Sequence, residues 1–242
     1  MANGTFTDKV IVVTGAGSGL GNALMHGALA RGAHVVAVCR TVDNLRSSSE
    51  ASHGDISRLT TLRCDLVVEA DVDRVFDQIH GKFGRVDTLI NNAGIGLFGP
   101  SESFALADAH RLFDVNFFAA IKCMQRAVPL MTARGGDIVN VISTAGKVVR
   151  RNEGIYAASK WALLAASEAM RMELDAHDIR ILAYLPGGMV TKFWQTPSGR
   201  QHQPDTSSFM YPTEVADYLL TILDAPRSLY PQEILVRRGK KR

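Results

Sequence analysis

Apolar runs of strand length alternate with longer helical patterns along almost the whole chain, and this alternation limits the possible folds most strongly. Helical patterns lie between the runs, and the two kinds of segment follow one another in regular order. Strands separated by helices of this length indicate βαβ units, which build a parallel sheet covered by helices on both faces. The predicted strands are 9–14, 34–39, 59–64, 86–92, 137–143, 179–185 and 233–238, and the predicted helices are 19–31, 42–50, 68–82, 103–133, 153–177 and 212–224.

We therefore expect an α/β fold, a doubly wound Rossmann-type domain with a mainly parallel, seven-stranded sheet. The 242 residues are 46% hydrophobic and 21% charged, as in an ordinary globular protein, and no linker-like stretch divides them. The prediction is one domain over 1–242. Region 192–211 is polar and punctuated by Pro and Gly, and a loop of that length is usually functional or disordered, so we interpret it as a substrate-loop region.

Charge and cysteine content exclude several classes of function. The net charge of +3 is mild and the only basic cluster is at the C-terminus, so we do not expect a nucleic-acid partner. The 3 cysteines are scattered, which argues against a disulfide framework or a metal site and is typical of a reducing compartment. The sequence begins without an apolar signal segment and has no membrane-length apolar run, so the expected location is the cytoplasm.

Four glycines alternate with other residues in TGAGSGLG, positions 14–21, directly after the first predicted strand. The spacing GxGxxG does not fit, whereas GxxxGxG fits on Gly15, Gly19 and Gly21. A glycine turn between a strand and a helix lets the backbone approach a pyrophosphate, which the helix N-terminus then attracts. A flexible turn is the alternative, but the strand–turn–helix context favours a phosphate-binding loop. Gly17 is not required by this pattern.

The end of the second predicted strand indicates which dinucleotide the loop would hold. An acidic residue at this point binds the adenosine ribose of NAD, but here the residues are Cys39 and Arg40. A guanidinium suits a 2′-phosphate, and the missing carboxylate removes a repulsion. An exposed arginine after a strand is common, so the prediction of NADP(H) over NAD(H) depends on both residues together.

Tyr156 and Lys160 are four residues apart on a predicted helix, so their side chains share one face. A fixed ammonium beside a phenol stabilises the phenolate and is expected to lower the tyrosine pKa. Ser143 ends the fifth predicted strand, and the segments NNAG and PGGMVT follow the fourth and sixth. Ligands bind at this edge of doubly wound sheets, so these residues are expected to meet there.

With these motifs in this order, the chain resembles the short-chain dehydrogenase/reductase family, of the compact single-domain kind. The resemblance covers nearly the full length and is carried by TGAGSGLG, NNAG at 91–94, Asn116, Ser143, YxxxK at 156–160 and PGGMVT at 186–191. It also accounts for the glycine spacing, since the family's own motif is TGxxxGxG. Three departures are Ile142, where many members have a second serine, Met189, where the family pattern has valine, and the short, polar region 192–211, where members of the family differ most.

The resemblance implies a hydride transfer between NADP(H) and a carbonyl or secondary alcohol. Tyr156 would be the general acid or base, and Ser143 would hold the carbonyl oxygen, with Thr144 as a less favoured substitute. Lys160 would lower the pKa of Tyr156 and bind the nicotinamide ribose. Asn116 would hold a water that passes protons to Lys160.

Cofactor binding is implied for a larger set of residues, and no metal is implied. Asp65 resembles the family's adenine-contacting acid, although capping of the following helix is a serious alternative. Thr191 would bind the carboxamide or the diphosphate. The cofactor-binding set is Gly15, Ser18, Gly19, Leu20, Gly21, Arg40, Asp65, Leu66, Asn92, Ala93, Gly94, Tyr156, Lys160, Pro186, Gly187, Met189 and Thr191.

The substrate pocket should be lined by 94–99, 144–155 and 192–211. Its apolar candidates favour a hydrophobic or aromatic carbonyl compound, although two of them, Phe193 and Trp194, could equally be core residues of a short helix. The basic residues of the middle segment could attract an anion, but we favour a solvated loop or a subunit contact for them. The apolar candidates are Leu97, Phe98, Ile155, Met189, Phe193 and Trp194, and the basic ones are Lys147, Arg150 and Arg151.

The resemblance further implies a homodimer or homotetramer, with helices 103–133 and 153–177 pairing with their copies. The sequence supports this only through apolar residues spread around those helices, such as Phe113, Phe117, Trp161 and Leu164. Two rival functions remain. One is a cofactor-binding sensor or scaffold without turnover, which would not need the set of Asn116, Ser143, Tyr156 and Lys160. The other is a nucleic-acid binder that uses the basic C-terminus.

Overall fold

The computed structural model describes residues 6–42, 45, 54–194 and 206–239, and the described residues contain one sheet of seven strands. The strand order is β3-β2-β1-β4-β5-β6-β7, and every neighbouring pair is parallel. The predicted α/β doubly wound fold is confirmed, and the sheet is wholly rather than mainly parallel. The strands are β1 Val10–Thr14, β2 His34–Cys39, β3 Leu59–Arg63, β4 Thr88–Asn91, β5 Gly136–Val141, β6 Ile179–Pro186 and β7 Glu233–Val236.

Six α-helices of the described residues cover this sheet. They correspond, closely or in part, to five of the six predicted helical patterns, whereas the sixth pattern, at 42–50, lies almost wholly outside the described residues. The helices are α1 Gly19–Ala30, α2 Glu69–Phe83, α3 Leu106–Phe113, α4 Ala119–Ala127, α5 Gly154–Leu174 and α6 Pro212–Leu223.

The prediction of one long helix over 103–133 is wrong. The segment is divided into α3, a π-helical turn at Asp114–Phe118, α4 and a 3-10 turn at Val128–Leu130. Pro129 lacks the N–H that would continue the α-helical ladder, which is consistent with the change to a tighter turn there. The π turn inserts extra backbone into the helix and contains the buried Asn116.

Both faces of the sheet are buried, which is why its central strand β1 is almost continuously apolar. Ile11 and Val13 of β1 pack in the cluster that contains α1 and α6. Val10 and Val12 pack on the other face, with α2 and α4. Since side chains alternate along a strand, helices on both faces favour apolar residues at successive positions rather than at every second one.

All strands point in the same direction, so their carboxyl ends meet along one edge of the sheet. Strands β2 and β3 are added on one side of β1, and β4 to β7 are added on the other, so the strand order reverses between β1 and β4. In doubly wound folds, this reversal opens a crevice at the carboxyl edge where ligands bind. The residues that follow β1, β2, β4, β5 and β6 are therefore the ones that can build a site.

Candidate active site

The glycine loop after β1 packs directly against the NNAG segment after β4. Gly15 has a φ of +66°, and a Cβ there would lie 2.8 Å from the Cα of Ala93. A Cβ at Gly21 would lie 2.4 Å from the carbonyl oxygen of Gly15. Neither contact leaves room for a side chain, so these two glycines are needed for the close approach of backbone segments.

Hydrogen bonds of Thr14 connect the glycine loop to the NNAG segment. The Oγ1 of Thr14 accepts hydrogen bonds from the backbone N–H of Asn92 at 3.0 Å and of Ala93 at 3.1 Å. The side-chain amide of Asn92 donates in return to the carbonyl oxygen of Thr14 at 2.9 Å. Sequence reasoning missed this role of Thr14, although the residue stands first in the glycine motif.

The N-terminus of α1 has the features of an anion site. Ser18 is the N-cap residue but makes no side-chain hydrogen bond to the first turn, and that turn contains no acidic residue. A Cβ at Gly19 would lie 3.2 Å from Cγ2 of Thr191, so the loop after β6 approaches the loop after β1 here. Leu20 and Gly21 complete the first turn. The uncapped N–H groups and the helix dipole favour a phosphate at this point.

The carboxyl end of β2 lies beside this loop. Arg40 is exposed, and Cys39 is buried with its thiol donating to the carbonyl oxygen of Thr41 at 3.1 Å. Burial raises the pKa of the Cys39 thiol, so this side chain stays neutral. A Cβ at Gly17 would lie 3.5 Å from Cβ of Cys39, so Gly17 faces the strand end where a ribose would bind.

Asp65 and Leu66 lie at the end of β3. The Asp65 carboxylate accepts a hydrogen bond from the backbone N–H of Val67 at 3.3 Å and so stabilises the turn. It does not cap α2, whose N-cap residue is Val68. Leu66 and Ala93 line one depression of about 160 Å³ beside Thr14. The adenine contact of Asp65 stays a prediction.

Lys160 and Tyr156 lie one turn apart on α5, as their spacing predicts. Both are buried, and the Lys160 Nζ lies 6.0 Å from the centroid of the Tyr156 ring. The ammonium donates to the carbonyl oxygen of Val141, the last residue of β5, at 3.1 Å. A Cβ at Gly94 would lie 3.5 Å from this Nζ and 3.3 Å from Oδ1 of Asn116. The glycine therefore opens the space that these two side chains face.

Asn116 fixes the backbone that follows the NNAG segment. Its Oδ1 accepts from the N–H of Ile95 at 2.8 Å, and its Nδ2 donates to the Ile95 carbonyl oxygen at 3.0 Å. Nδ2 also donates to the Ser159 hydroxyl, which in turn donates to the Tyr156 carbonyl oxygen at 2.7 Å. Ser159 was missed from sequence. The predicted water-holding role of Asn116 stays a prediction.

Ser143 has an unusual backbone conformation, with φ at 136° and ψ at 158°. A residue with a side chain pays on the order of 1–3 kcal/mol in this region of φ/ψ space, and such strain concentrates at functional sites. The Oγ accepts from the Ala145 N–H at 3.2 Å. Its hydroxyl also hydrogen-bonds Tyr156 and so acts to lower the pKa of that phenol. Thr144 instead receives a long hydrogen bond of 3.5 Å from Arg150.

The pKa values of the central pair are set by burial. Desolvation raises the pKa of Tyr156 to about 12, against the smaller effect of the Ser143 hydrogen bond. The same desolvation lowers the pKa of Lys160 to about 8. A lowered pKa of Tyr156 was expected from its lysine neighbour, but the direction is the opposite because removal from water outweighs any favourable contact.

The segment after β6 carries the remaining predicted cofactor residues. Pro186 is the last residue of β6, and the N–H of Gly187 donates to the Val236 carbonyl oxygen at 2.8 Å. Met189 forms a bridge with Met210 and accepts a hydrogen bond from the Trp194 indole at 3.0 Å. This stretch therefore returns over the carboxyl edge next to α1.

Most of the predicted pocket wall is found around Tyr156. Leu97, Phe98, Ile155, Phe193 and Trp194 belong to one apolar cluster with this tyrosine, whereas Met189 packs with another. Residues 195–205 of the predicted substrate-loop region lie outside the described residues.

The basic segment before α5 fits its interpretation as a surface loop. Lys147 pairs with Glu233 at 2.9 Å, and Arg150 pairs with Glu153 at 3.3 Å. Arg151 is exposed. Two of the three charges are thus matched by carboxylates, which weakens the idea that the loop attracts an anion.

The family model described as short chain dehydrogenase matches residues 9–201 of the chain. This match covers most of the chain and includes the glycine loop, Asn116, Ser143 and the Tyr156–Lys160 pair. The protein belongs to the short-chain dehydrogenase family. Its fold and the residues gathered at the carboxyl edge of the sheet agree with this assignment.

Named relatives are oxidoreductases. The chain is 33% identical over 227 residues to the uncharacterized oxidoreductase YxnA of Bacillus subtilis, covering 91% of this chain and 64% of that protein. It is 29% identical over 215 residues to D-threitol dehydrogenase of Mycolicibacterium smegmatis, covering 86% and 83%. The chain spans less than two thirds of the length of several curated relatives that it matches.

A solved structure of a metagenomic short-chain oxidoreductase in complex with NADP is similar over 98% of this chain and 100% of that one. Its TM-score is 0.83 and its sequence identity 28%. Within the described residues, no helix is both long and apolar enough to cross a membrane. The same residues contain no group of three or more His, Cys, Asp or Glu side chains placed to hold a metal ion.

Proposed function

We propose that this protein is an NADP(H)-dependent oxidoreductase that transfers hydride between the nicotinamide and a carbonyl or secondary alcohol. The observation that carries this proposal is the placement of Ser143, Tyr156 and Lys160 at one edge of the sheet, next to the uncapped N-terminus of α1. A cofactor-binding scaffold needs the helix end, but it has no use for a buried Tyr–Lys pair beside a strained serine.

The residues of the chain fit the dinucleotide that the family implies. The uncapped first turn of α1 would bind the pyrophosphate, with Gly15, Ser18, Gly19, Leu20 and Gly21 forming the loop. Gly94 leaves space beside Lys160, whose ammonium would hold the nicotinamide ribose. The bound cofactor supplies the hydride and a positive ring charge in its oxidised form.

The proton chemistry follows from the two pKa shifts. With its pKa raised to about 12, Tyr156 holds its proton at neutral pH and can donate it to a carbonyl oxygen during reduction. Ser143 would hold the same oxygen. The phenolate left behind is buried and needs a positive charge close by, which Lys160 provides while it is protonated. With the pKa of Lys160 lowered to about 8, we expect the rate of reduction to fall as pH rises through that value.

The preference for NADP(H) is supported by the end of β2. Cys39 stands in place of an acidic residue, and the exposed Arg40 follows it directly. The NADP-bound metagenomic relative is consistent with this choice. We expect Arg40→Asp to raise the Kd for NADPH at least about tenfold relative to NADH, because a bidentate cation is replaced by a repelling carboxylate.

The matched control for that variant is Arg134→Asp. Arg134 is also exposed and lies just before β5, at the opposite edge of the sheet. The change in net charge is the same, so only a local effect at Arg40 should alter the ratio of the two Kd values. Equal ratios in both variants would mean that another group reads the 2′-phosphate or that no preference exists.

Enzymatic function is tested by mixing the protein with NADPH and a panel of ketones, aldehydes and quinones. We expect oxidation of NADPH, followed by its absorbance, with at least one compound. A protein that binds NADPH tightly in a fluorescence titration and oxidises it with none of them would instead be a sensor or scaffold. Binding to DNA or RNA with a steep salt dependence would favour the nucleic-acid alternative.

We also propose a homodimer or homotetramer in which the segment 103–133 and α5 pair with their copies. Phe118 and Trp161 are 50% and 46% exposed, and a partner subunit would cover them. Phe113 and Phe117 are half-buried, and the rings of Phe117 and Phe118 are 4.9 Å apart, whereas Leu164 is buried in the core and does not contribute to this surface. Size-exclusion chromatography with light scattering distinguishes these assemblies from a monomer.

A further inference from the structure

The ring of Phe193 is surrounded by three other aromatic rings. Its centroid lies 5.7 Å from that of Tyr156, 6.0 Å from that of Phe98 and 5.6 Å from that of Trp194. The interplanar angles are 62°, 72° and 89°, so all three contacts are edge-to-face. This is the arrangement that aromatic rings prefer over face-to-face stacking, and each contact adds to the apolar burial.

The three surrounding rings are held in place, and they therefore form a box of fixed shape. Tyr156 lies on α5, and Phe98 is 3% exposed and tilted against it with centroids 5.5 Å apart. Trp194 stacks on Phe98 at 5.3 Å and 23°, and its indole N–H donates to the Met189 carbonyl oxygen. A Cβ at Gly96 would lie 2.4 Å from the Phe98 ring, so a glycine provides the room for this ring.

Phe193 and Trp194 are both half-buried and both lie in the three-residue 3-10 turn Lys192–Trp194. The Trp194 ring is held by its indole hydrogen bond and by stacking on Phe98, whereas the phenyl ring of Phe193 has no polar group that could anchor it. The backbone N–H of Phe193 donates to the Thr191 hydroxyl at 3.3 Å, a long hydrogen bond that little movement would break. A ring on such a turn can leave the box without disturbing the sheet or α5.

The same box must receive the substrate if Tyr156 is the proton donor. The group attached to the carbonyl carbon then lies next to the Tyr156 ring, and Tyr156 is only 6% exposed. Phe98 and Trp194 are anchored, so Phe193 is the side chain whose displacement gives access. The chain's own phenyl ring thus marks the shape and chemistry that the box accepts: flat, apolar and aromatic.

We propose that Phe193 is the specificity-determining residue of this site, and that its ring is replaced by the substrate's own ring. The substrate class is a ketone or aldehyde with an aryl group attached to the carbonyl carbon, or the corresponding alcohol. This inference rests on the proposed oxidoreductase function. It adds that Phe193 competes with the substrate for the same place rather than simply lining the pocket.

The first experiment compares acetophenone with cyclohexyl methyl ketone, which has the same carbon skeleton and a saturated ring. Calorimetry on the protein with NADP⁺ measures binding without hydride transfer. We expect acetophenone to bind about tenfold more tightly, since the saturated ring cannot make the edge-to-face contacts. Equal binding of the two ketones overturns the proposal. The same titration without NADP⁺ shows whether ketone binding depends on the cofactor. A wrong cofactor assignment is thereby distinguished from a wrong aryl preference.

The second experiment removes the competing ring. We expect Phe193→Ala to bind acetophenone severalfold more tightly than the wild-type protein, whereas Phe193→Leu keeps an apolar group in the box and gains less. An unchanged or weaker affinity in Phe193→Ala means that Phe193 is an ordinary wall residue and overturns the competition. Phe209→Ala is the matched control, because this ring touches Trp194 at 5.2 Å on the same returning segment and should give no tightening.

Thermal unfolding confirms that each variant is folded. If Phe193→Ala is not folded, the wild-type comparison of the two ketones and the Phe193→Leu variant still decide the proposal. NADPH oxidation by the panel of carbonyl compounds is scored separately. A protein that oxidises NADPH only with aliphatic carbonyls would uphold the oxidoreductase function and overturn the aryl preference.

Discussion

The two edges of the sheet differ in whether their buried charged side chains have partners of opposite charge. At the amino edge, Asp87 accepts hydrogen bonds from Arg85 at 3.0 Å and from the Val10 N–H at 2.7 Å. Asp137 pairs with Arg180 at 2.5 Å in the same layer. Each of these half-buried or buried carboxylates has a guanidinium partner, so its charge is matched within the fold.

At the carboxyl edge, the surface charges of Lys147 and Arg150 are matched by carboxylates, but the buried charge is not. Lys160 is 4% exposed, yet no carboxylate in the described ranges forms an ion pair with it. Its pKa is lowered to about 8 because burial disfavours the charged form. Ser143 holds a strained backbone conformation, and α1 begins without a side-chain cap. The buried ammonium, the strained serine and the missing cap each cost stability.

This difference in pairing distinguishes charged side chains that stabilise the fold from those that remain available for catalysis. A depression of about 250 Å³ at the amino edge is lined by Asp137, Arg180 and Tyr230, but these groups bond to one another or to the backbone. We assign no site to it. An unpaired, desolvated cation next to a buried phenol is instead a pattern of functional sites.

The largest effect is expected for Tyr156→Phe at the carboxyl edge. Loss of the hydroxyl removes the proton donor, and we expect kcat for carbonyl reduction to fall at least about a thousandfold. The Kd for NADPH, measured by fluorescence titration, should change by less than about threefold, because the ring and Lys160 remain. Retained turnover would show that the proton comes from another group.

Lys160→Met is expected to lower activity and raise stability together. The buried ammonium disfavours the folded state at pH 7, so its removal should increase the free energy of unfolding by up to about 3 kcal/mol. In the wild-type protein, stability should rise between pH 8 and pH 10, because the unfolded chain then binds a proton at Lys160 that the folded chain has released. Above pH 10 the raised pKa of Tyr156 reverses the trend.

Urea unfolding at pH 7 and pH 9.5 measures both parts of this prediction. The difference between the two pH values should shrink in Lys160→Met, since the titrating group is gone. A variant that is less stable than the wild-type protein at pH 7 would mean that the hydrogen bond to the Val141 carbonyl outweighs the desolvation of Lys160.

Asp137→Asn makes the converse change at the amino edge. It leaves the Arg180 guanidinium, 12% exposed, without its full charge partner. We expect a loss of about 2 kcal/mol in the free energy of unfolding, less than for a fully buried pair. The kcat/KM for any carbonyl substrate should stay within about twofold, and a larger kinetic change would mean that the two edges are coupled.

The strands could be predicted to within two residues at either end because runs of mostly apolar residues mark the positions between two helical layers. The gathering of Ser143, Tyr156, Lys160 and Gly94 followed from the parallel sheet and the helix spacing. Asn116 shows the limit of sequence reasoning. Neither the π turn that contains it nor its two hydrogen bonds to the Ile95 backbone have a local signal in the sequence. The pKa direction of Tyr156 was wrong for a related reason: spacing places Lys160 nearby but does not reveal how much water the pair loses.

The smallest effect is expected for Gly17→Ala in the glycine loop. The Cβ would lie 3.5 Å from Cβ and 3.7 Å from Sγ of Cys39, which is ordinary contact, and Gly17 does not have a positive φ. Because alanine reduces the freedom of the unfolded chain, we expect the free energy of unfolding to change by less than about 1 kcal/mol, in the stabilising direction.

Gly15→Ala is the contrasting variant for this loop. Its φ is +66° and the added Cβ would lie 2.8 Å from the Cα of Ala93, so the loop must separate from the NNAG segment. We expect a loss of at least about 1 kcal/mol and a weaker Kd for NADPH, measured by urea unfolding and fluorescence titration. Of the two glycines, only Gly15 would bring a Cβ too close to backbone atoms. If both variants lose equal stability, the space around each glycine does not explain why the loop needs it.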